Sequence, residues 1–168
     1  SLNLSGQSLG DLKFMQNCIN QLDNSTINPS RLCFEITETA MIENLSNAIR
    51  SVSTLRGLGC KIALDDFGSG LSSFAYLKNL PVDYLKIDGI LIKDLENDSV
   101  NVTMVKSIIH IGHSMGLETI AEYVENDAIL DILRNLEIDF VQGYGIAKPV
   151  SIDDIKIYLN SSYELIKG

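Results

Sequence analysis

Six short apolar runs, each followed by a longer stretch, constrain this chain more than any other feature. The runs are SLNLS at 1–5, RLCFEIT at 31–37, CKIALD at 60–65, DYLKID at 83–88, LETIAE at 117–122 and DFVQGY at 139–144. Between them the apolar residues recur at helical spacing, predicting helices over 9–23, 43–57, near 72–79, 99–114 and 126–135. A closing helix is expected from Ser151, with Ser151 as N-cap and Asp154 three residues on. The ENDS stretch at 96–99 reads as a turn and helix N-cap. Strict strand–helix alternation means parallel strands joined by right-handed crossovers. A doubly wound sheet and a (β/α) barrel both satisfy this. A complete barrel takes eight units, so six units would leave about two absent from the front.

With 168 residues, 45% hydrophobic and 21% charged, the chain reads as one domain with a sizeable core. The formal net charge of −9 excludes a general binder of DNA or RNA polymers or of anionic membranes, both of which need basic patches. A small anionic ligand held through a metal remains compatible with it. Cys18, Cys33 and Cys60 are scattered without a C-x-x-C pair, which fits reduced thiols in a cytoplasmic protein. The start at Ser1, inside a strand-like run, leads us to expect missing upstream segments, through which a parent protein would be membrane-anchored.

Side chains alternate across a strand, and in every run a polar residue takes the side opposite the large apolar ones. These are Asn3, Glu35, Asp65, Lys86, Glu122 and Gln142. Active sites of barrels and open α/β sheets sit at the C-terminal strand ends, so six polar groups there form a site pattern. Glu35, Asp65, Asp66 and Glu122 would repel one another, and Lys86 offsets only one charge. The remainder calls for one or two divalent cations. Hard oxygen ligands suit Mg²⁺ or Mn²⁺, with Ca²⁺ as competitor. Asp65 and Asp66 would point apart in a regular strand, but the strand is expected to end there. A carboxylate bridging ions ~3.5–4 Å apart fits two-metal phosphoester cleavage.

NLS, EITE, ALDDFGSGLSS, LKIDG, AEYVE and QGYGIAKP occur in the order and approximate spacing of the EAL domain family, which the chain resembles from Ser1 to about Pro149. These are bacterial phosphodiesterases that hydrolyse the second messenger cyclic di-GMP to linear pGpG with Mg²⁺ or Mn²⁺, in signalling that governs biofilm formation. The resemblance implies a TIM-type barrel, here incomplete, with residues 1–168 a single domain fragment running from the third strand. It implies metal-ligand roles for Asn3, Glu35 and Asp65, and a second-metal role for Asp66. Lys86 would orient the attacking water and steady the phosphate, and Glu122 would be a second-metal or general-base carboxylate. Glu125 and Gln142 would support it at the rim, and Glu38 would anchor the 66–73 loop, which includes Phe67, Gly68, Ser69 and Gly70. That loop retains metal and mediates dimer contacts in the family. Ser69 stands here for the more usual Thr, and Leu71 for a frequent Tyr. The Glu-Ala-Leu strand and the arginine after it are absent. The expectation is therefore an active parent, a homodimer with an upstream sensor or diguanylate-cyclase-like domain, and a fragment inactive by itself.

Two other readings compete. Lys86 at a strand end fits a Schiff-base lyase, although acidic neighbours would raise its pKa. A non-catalytic cyclic di-GMP receptor is the second. His110 and His113, three apart, are read as surface or packing residues, because outer helices lie away from the site face.

Overall fold

The computed structural model describes residues 1–43, 45–70, 74–151 and 154–155. Six strands form one sheet: β1 (Leu2–Asn3), β2 (Cys33–Thr37), β3 (Lys61–Phe67), β4 (Tyr84–Ile87), β5 (Glu118–Ala121) and β6 (Phe140–Val141). Every neighbouring pair is parallel, and spatial order follows chain order from β1 to β6. A doubly wound sheet reverses its order at a switch point; this one never does, so the barrel wall is the architecture present. Among the described residues β1 pairs with β2 and β6 with β5, so the wall is open, an incomplete barrel.

Helices follow the strands. After β1 come α1 (Gly6–Gly10) and α2 (Leu12–Asp23); after β2, α3 (Glu38–Glu43) and α4 (Leu45–Gly57); after β3, α5 (Phe74–Leu77). After β4 come α6 (Gly89–Ile92) and α7 (Ser99–Ser114), and after β5, α8 (Asp127–Asn135). The expected helix over 9–23 is broken at Asp11. Its carboxylate accepts the amide hydrogens of Lys13 and Phe14, making it an N-cap that starts a new helix. Helix α7 has the expected bounds, with Asp98 capping Val100 and Asn101. The four-residue α6 was not expected; it is too short for a periodic signal. Of the closing helix, 152, 153 and 156–168 lie outside the described residues, whereas Asp154 N–H does donate to Ser151 Oγ at 3.3 Å.

The core lies between the outer face of the sheet and the helices. Ile36, Ile62, Leu64, Leu85 and Ile87 are fully buried from the strands, as are Val52, Val105 and Leu133 from α4, α7 and α8. At the edge, Leu2 is 51% exposed, so β1 does not share the apolar-outward pattern in full.

Two aspartates tie strand starts together at the end of the sheet away from the C-terminal strand tips. Asp83, just before β4, accepts the Ile62 amide hydrogen of β3 at 3.0 Å and pairs with Arg56 and Lys61. Asp139, just before β6, accepts from the Thr119 amide and hydroxyl of β5 and from His113, each at 2.7 Å. His113 is thereby a surface partner of Asp139, and His110 is exposed. Burial pushes both carboxyls up, but the hydrogen bonds outweigh it and hold them below the ordinary range. Groups depressed in the folded state contribute stability above their unfolded pKa and lose it as pH falls through the folded value. We expect the urea midpoint to fall on acidification below about pH 4. Asp139→Ala should cost about 1–3 kcal/mol at neutral pH, because buried Thr119 loses its acceptor, and should flatten the acid limb. An unchanged midpoint at neutral pH would refute that role.

Candidate active site

The inward-facing residues converge at the C-terminal strand ends on a pocket of about 480 Å³. Asn3, Glu35, Asp65 and Asp66 line it from β1, β2 and β3. Lys86 enters from β4, and Glu122, Glu125 and Gln142 come from the segments after β5 and β6. Each expected metal or catalytic side chain therefore reaches one cavity, which also gains Tyr123, Gly143 and Tyr144.

The local reasons differ by strand. In β2, Phe34 and Ile36 are buried outward, so strict alternation turns Glu35 inward. In β3 alternation alone would separate Asp65 from Asp66. Instead the strand continues to Phe67, past the expected end, and its register against β4 shifts: Leu64 pairs with Leu85 and Phe67 with Ile87. One extra β3 residue therefore stands opposite Lys86, a β-bulge, and Asp66 takes φ +57°. Both carboxylates face the pocket while Phe67 returns to the core, fully buried and 5.5 Å from the Phe74 ring. A left-handed residue also follows β5, where Glu122 precedes Tyr123 at φ +54°.

Lys86 is the electrostatic centre, at 2% exposure. Its Nζ donates to Glu35 Oε2 at 3.1 Å, and stands 2.8 Å from Asp65 Oδ1 and 2.7 Å from Glu122 Oε1. The Asp65 contact is close in distance but off the hydrogen-bond direction, and leaves Asp65 Oδ1 buried without a directed donor. Burial alone would lower the lysine's pKa, yet Asp65 and Glu122 raise it well above the usual lysine range. A permanently charged ammonium is no Schiff-base nucleophile, which argues against the lyase reading. Glu35 sits below the ordinary carboxylate range because hydrogen bonds from Ser1 and Lys86 outweigh burial. Glu122 sits above it, raised first by burial, against the pull of Lys86. Asp66 is also raised, by burial and then by the charges of Asp65 and Asp88.

Five carboxylates thus share the pocket with one lysine. Oxygens of Asp65, Asp66 and Glu122 lie within 4.8 Å of one another, close enough to hold a divalent cation. With a buried Asp65 oxygen left without a directed donor, an all-oxygen donor set fits a hard cation.

Glu38 does not line the pocket. It is buried at the start of α3, where the Tyr76 hydroxyl of α5 hydrogen-bonds its Oε1, tying down the element after the loop. Within the loop, Gly68 has φ +98° and lies against Leu91, Ser69 Oγ donates to the Asp66 carbonyl at 2.9 Å, and Gly70 borders an apolar groove. Residues 71–73, including Leu71, lie outside the described residues.

The EAL domain family model matches residues 1–149. This chain belongs to the EAL domain family. The EAL domain is 45% identical over 149 residues to the cyclic di-GMP phosphodiesterase PdeB of Shewanella oneidensis, covering 89% of this chain and 17% of that protein. It superimposes on the PaMucR phosphodiesterase in complex with c-di-GMP with a TM-score of 0.85 at 31% identity, covering 91% of this chain and 62% of the other. The FimX EAL domain from Pseudomonas aeruginosa bound to c-di-GMP gives a TM-score of 0.82 at 31% identity, over 88% and 60%. The chain spans about a fifth of the length of the curated relatives it matches.

Tyr123, Gly143, Tyr144 and Asp88 were missed by sequence reasoning. The glycine pair in QGYG is a usable signal: a Cβ on Gly143 would lie 2.3 Å from the Val124 backbone, and one on Gly145 2.5 Å from that of Glu125. Asp66→Asn keeps a residue at ease in the left-handed region while removing a charge. It should weaken Mn²⁺ binding by at least about tenfold in calorimetry, without lowering the metal-free melting temperature. Unaltered Mn²⁺ affinity would remove Asp66 from the cation site.

Proposed function

We propose that this EAL domain hydrolyses cyclic di-GMP to linear pGpG, using Mg²⁺ or Mn²⁺ and in all two ions. What carries the reading is the convergence of Asn3, Glu35, Asp65, Asp66, Lys86 and Glu122 on one cavity, in a family where several relatives are named cyclic di-GMP phosphodiesterases. Water adds to phosphorus and the P–O3′ bond breaks, leaving a 5′-phosphate and a 3′-hydroxyl. Asn3, Glu35, Asp65, Asp66 and Glu122 would hold the two ions, which when bound would supply polarisation of the phosphodiester and offset its charge. Lys86, already within 3.1 Å of three carboxylates, keeps them convergent and meets the phosphate charge. Glu122, 2.7 Å from Lys86 Nζ, is either a second-metal carboxylate or the base that takes the water's proton, and Glu125 and Gln142 support it at the rim.

The open wall bears on the isolated chain. No described strand closes the pocket between β1 and β6, so the 168 residues alone turn over cyclic di-GMP slowly or not at all. Homodimerisation, a cytoplasmic location and an upstream sensor or diguanylate-cyclase-like domain belong to the same proposal and rest on the family resemblance. A cyclic di-GMP receptor without turnover is the second reading, favoured by the open wall, in which no described strand closes the pocket between β1 and β6.

The test is Mn²⁺-dependent release of pGpG by the full-length protein carrying this chain. Glu35→Ala and Lys86→Ala should each lower kcat by about 100-fold or more. Turnover at the unsubstituted rate in both would refute the site. Tight binding in Mg²⁺ without product would select the receptor.

A further inference from the structure

Two of the three carboxylates able to share a cation stand on turns that touch one short helix. Asp66 opens the loop after β3, Glu122 opens the turn after β5, and α6 packs against both. The backbone ties them together at its start. The amide of Asp88, the α6 N-cap, donates to the Phe67 carbonyl at 3.1 Å, and the Glu122 amide donates to the Ile87 carbonyl at 3.3 Å. Toward the loop, Leu91 of α6 occupies the space that a Cβ of Gly68 would need. Toward the turn, Tyr123 lies directly on Gly89.

The backbone gives no reason for a glycine at 89. Its φ is not left-handed, and inside a helix alanine is the better residue. What requires it is Tyr123. A Cβ on Gly89 would come within 2.2 Å of Tyr123 Cδ2, 2.6 Å of Cγ and 2.9 Å of Cβ. Turning the ring would clear Cδ2 and Cγ but not Cβ. That atom moves only with the backbone of a residue at φ +54° that is bonded directly to Glu122. At the far end of α6, the Lys93 ammonium lies 4.3 Å from the ring centroid and keeps the ring along the helix. Glu122 is thus seated on α6 through its neighbour, with its carboxylate 2.7 Å from Lys86 Nζ.

We propose that Gly89 is a positioning residue for the cation site. Its bare backbone lets Tyr123 settle on α6, and that seating sets how far Glu122 reaches toward Asp65 and Asp66. This rests on the cation-dependent reading above and adds to it a residue that touches neither cation nor substrate.

The experiment introduces Gly89→Ala into three backgrounds of the 168-residue chain: unsubstituted, Tyr123→Ala and Tyr123→Gly. Mn²⁺ affinity is measured by calorimetry well below each melting temperature, where a loss of stability does not lower the folded fraction. Gly89→Ala should weaken Mn²⁺ binding about tenfold beside the tyrosine, about threefold where only a Cβ is left to meet, and not at all beside a glycine. Gly112→Ala is the control. Its Cβ would stand 3.0 Å from Thr119 Cγ2, near the start of β5, so it crowds the core away from the pocket and should leave Mn²⁺ affinity within about twofold. Undiminished affinity for Gly89→Ala in the unsubstituted background overturns the proposal. So does an equal loss in all three backgrounds, or a tenfold loss in the control. If Gly89→Ala alone does not fold, the Tyr123→Ala background decides: a loss of about threefold supports the proposal and no loss overturns it. Failure of the unsubstituted chain to bind Mn²⁺ overturns the functional reading as well, whereas binding without the graded loss overturns the role of Gly89 alone.

Discussion

One buried ammonium holds the pocket together. Lys86, almost without solvent, stands within 3.1 Å of carboxylates that arrive from β2, β3 and the end of β5. Without it, Glu35, Asp65 and Glu122 would face one another in a poorly solvated cavity, and protonation would be the cheapest relief. With it, the three converge on a positive charge, yet five pocket carboxylates to one lysine leave the balance negative. That residual charge is what makes the site receptive to a divalent cation. The ion pairs are therefore better understood as organising the site than as stabilising the fold.

The rest of the wall is arranged so that this cluster can exist. The hydrophobic outer face supplies the burial, and Asp83 and Asp139 fasten strand starts at the opposite end. Strand tips are left free to carry polar groups. Two backbone irregularities then do what regular strands cannot. The bulge at Asp65–Asp66 brings neighbouring carboxylates to one side, and the left-handed turn at Tyr123 follows Glu122 directly. Both sit at the pocket, consistent with strain being kept where a site needs unusual geometry.

Much of this was legible beforehand. Alternating runs gave the strand–helix order, and parity within EIT or YLKID showed which side chain would face away from the core. Helix α7 could be delimited because Asp98 is a strong cap before a long periodic stretch. The bounds were weakest where the signal is short or ambiguous. Asp11 was read as part of a helix when it begins one, and α6 has too few residues to show a period. Tyr123 escaped notice because nothing local reveals that its ring needs Gly89, which is distant in the chain.

The sequence alone determined the fold class, the family and the set of residues aimed at the strand ends, since these follow from local periodicity and from motif order. Strand alternation without the family motifs fitted both a doubly wound sheet and a barrel wall, and it put Asp65 and Asp66 on one side only if the strand ended there. Tertiary structure decided both. Strand order is a property of pairing between distant segments, and the bulge exists only in register against β4. Lys86 likewise seemed to answer one charge, and meets three, because only folding brings the ends of β2, β3 and β5 to the same point.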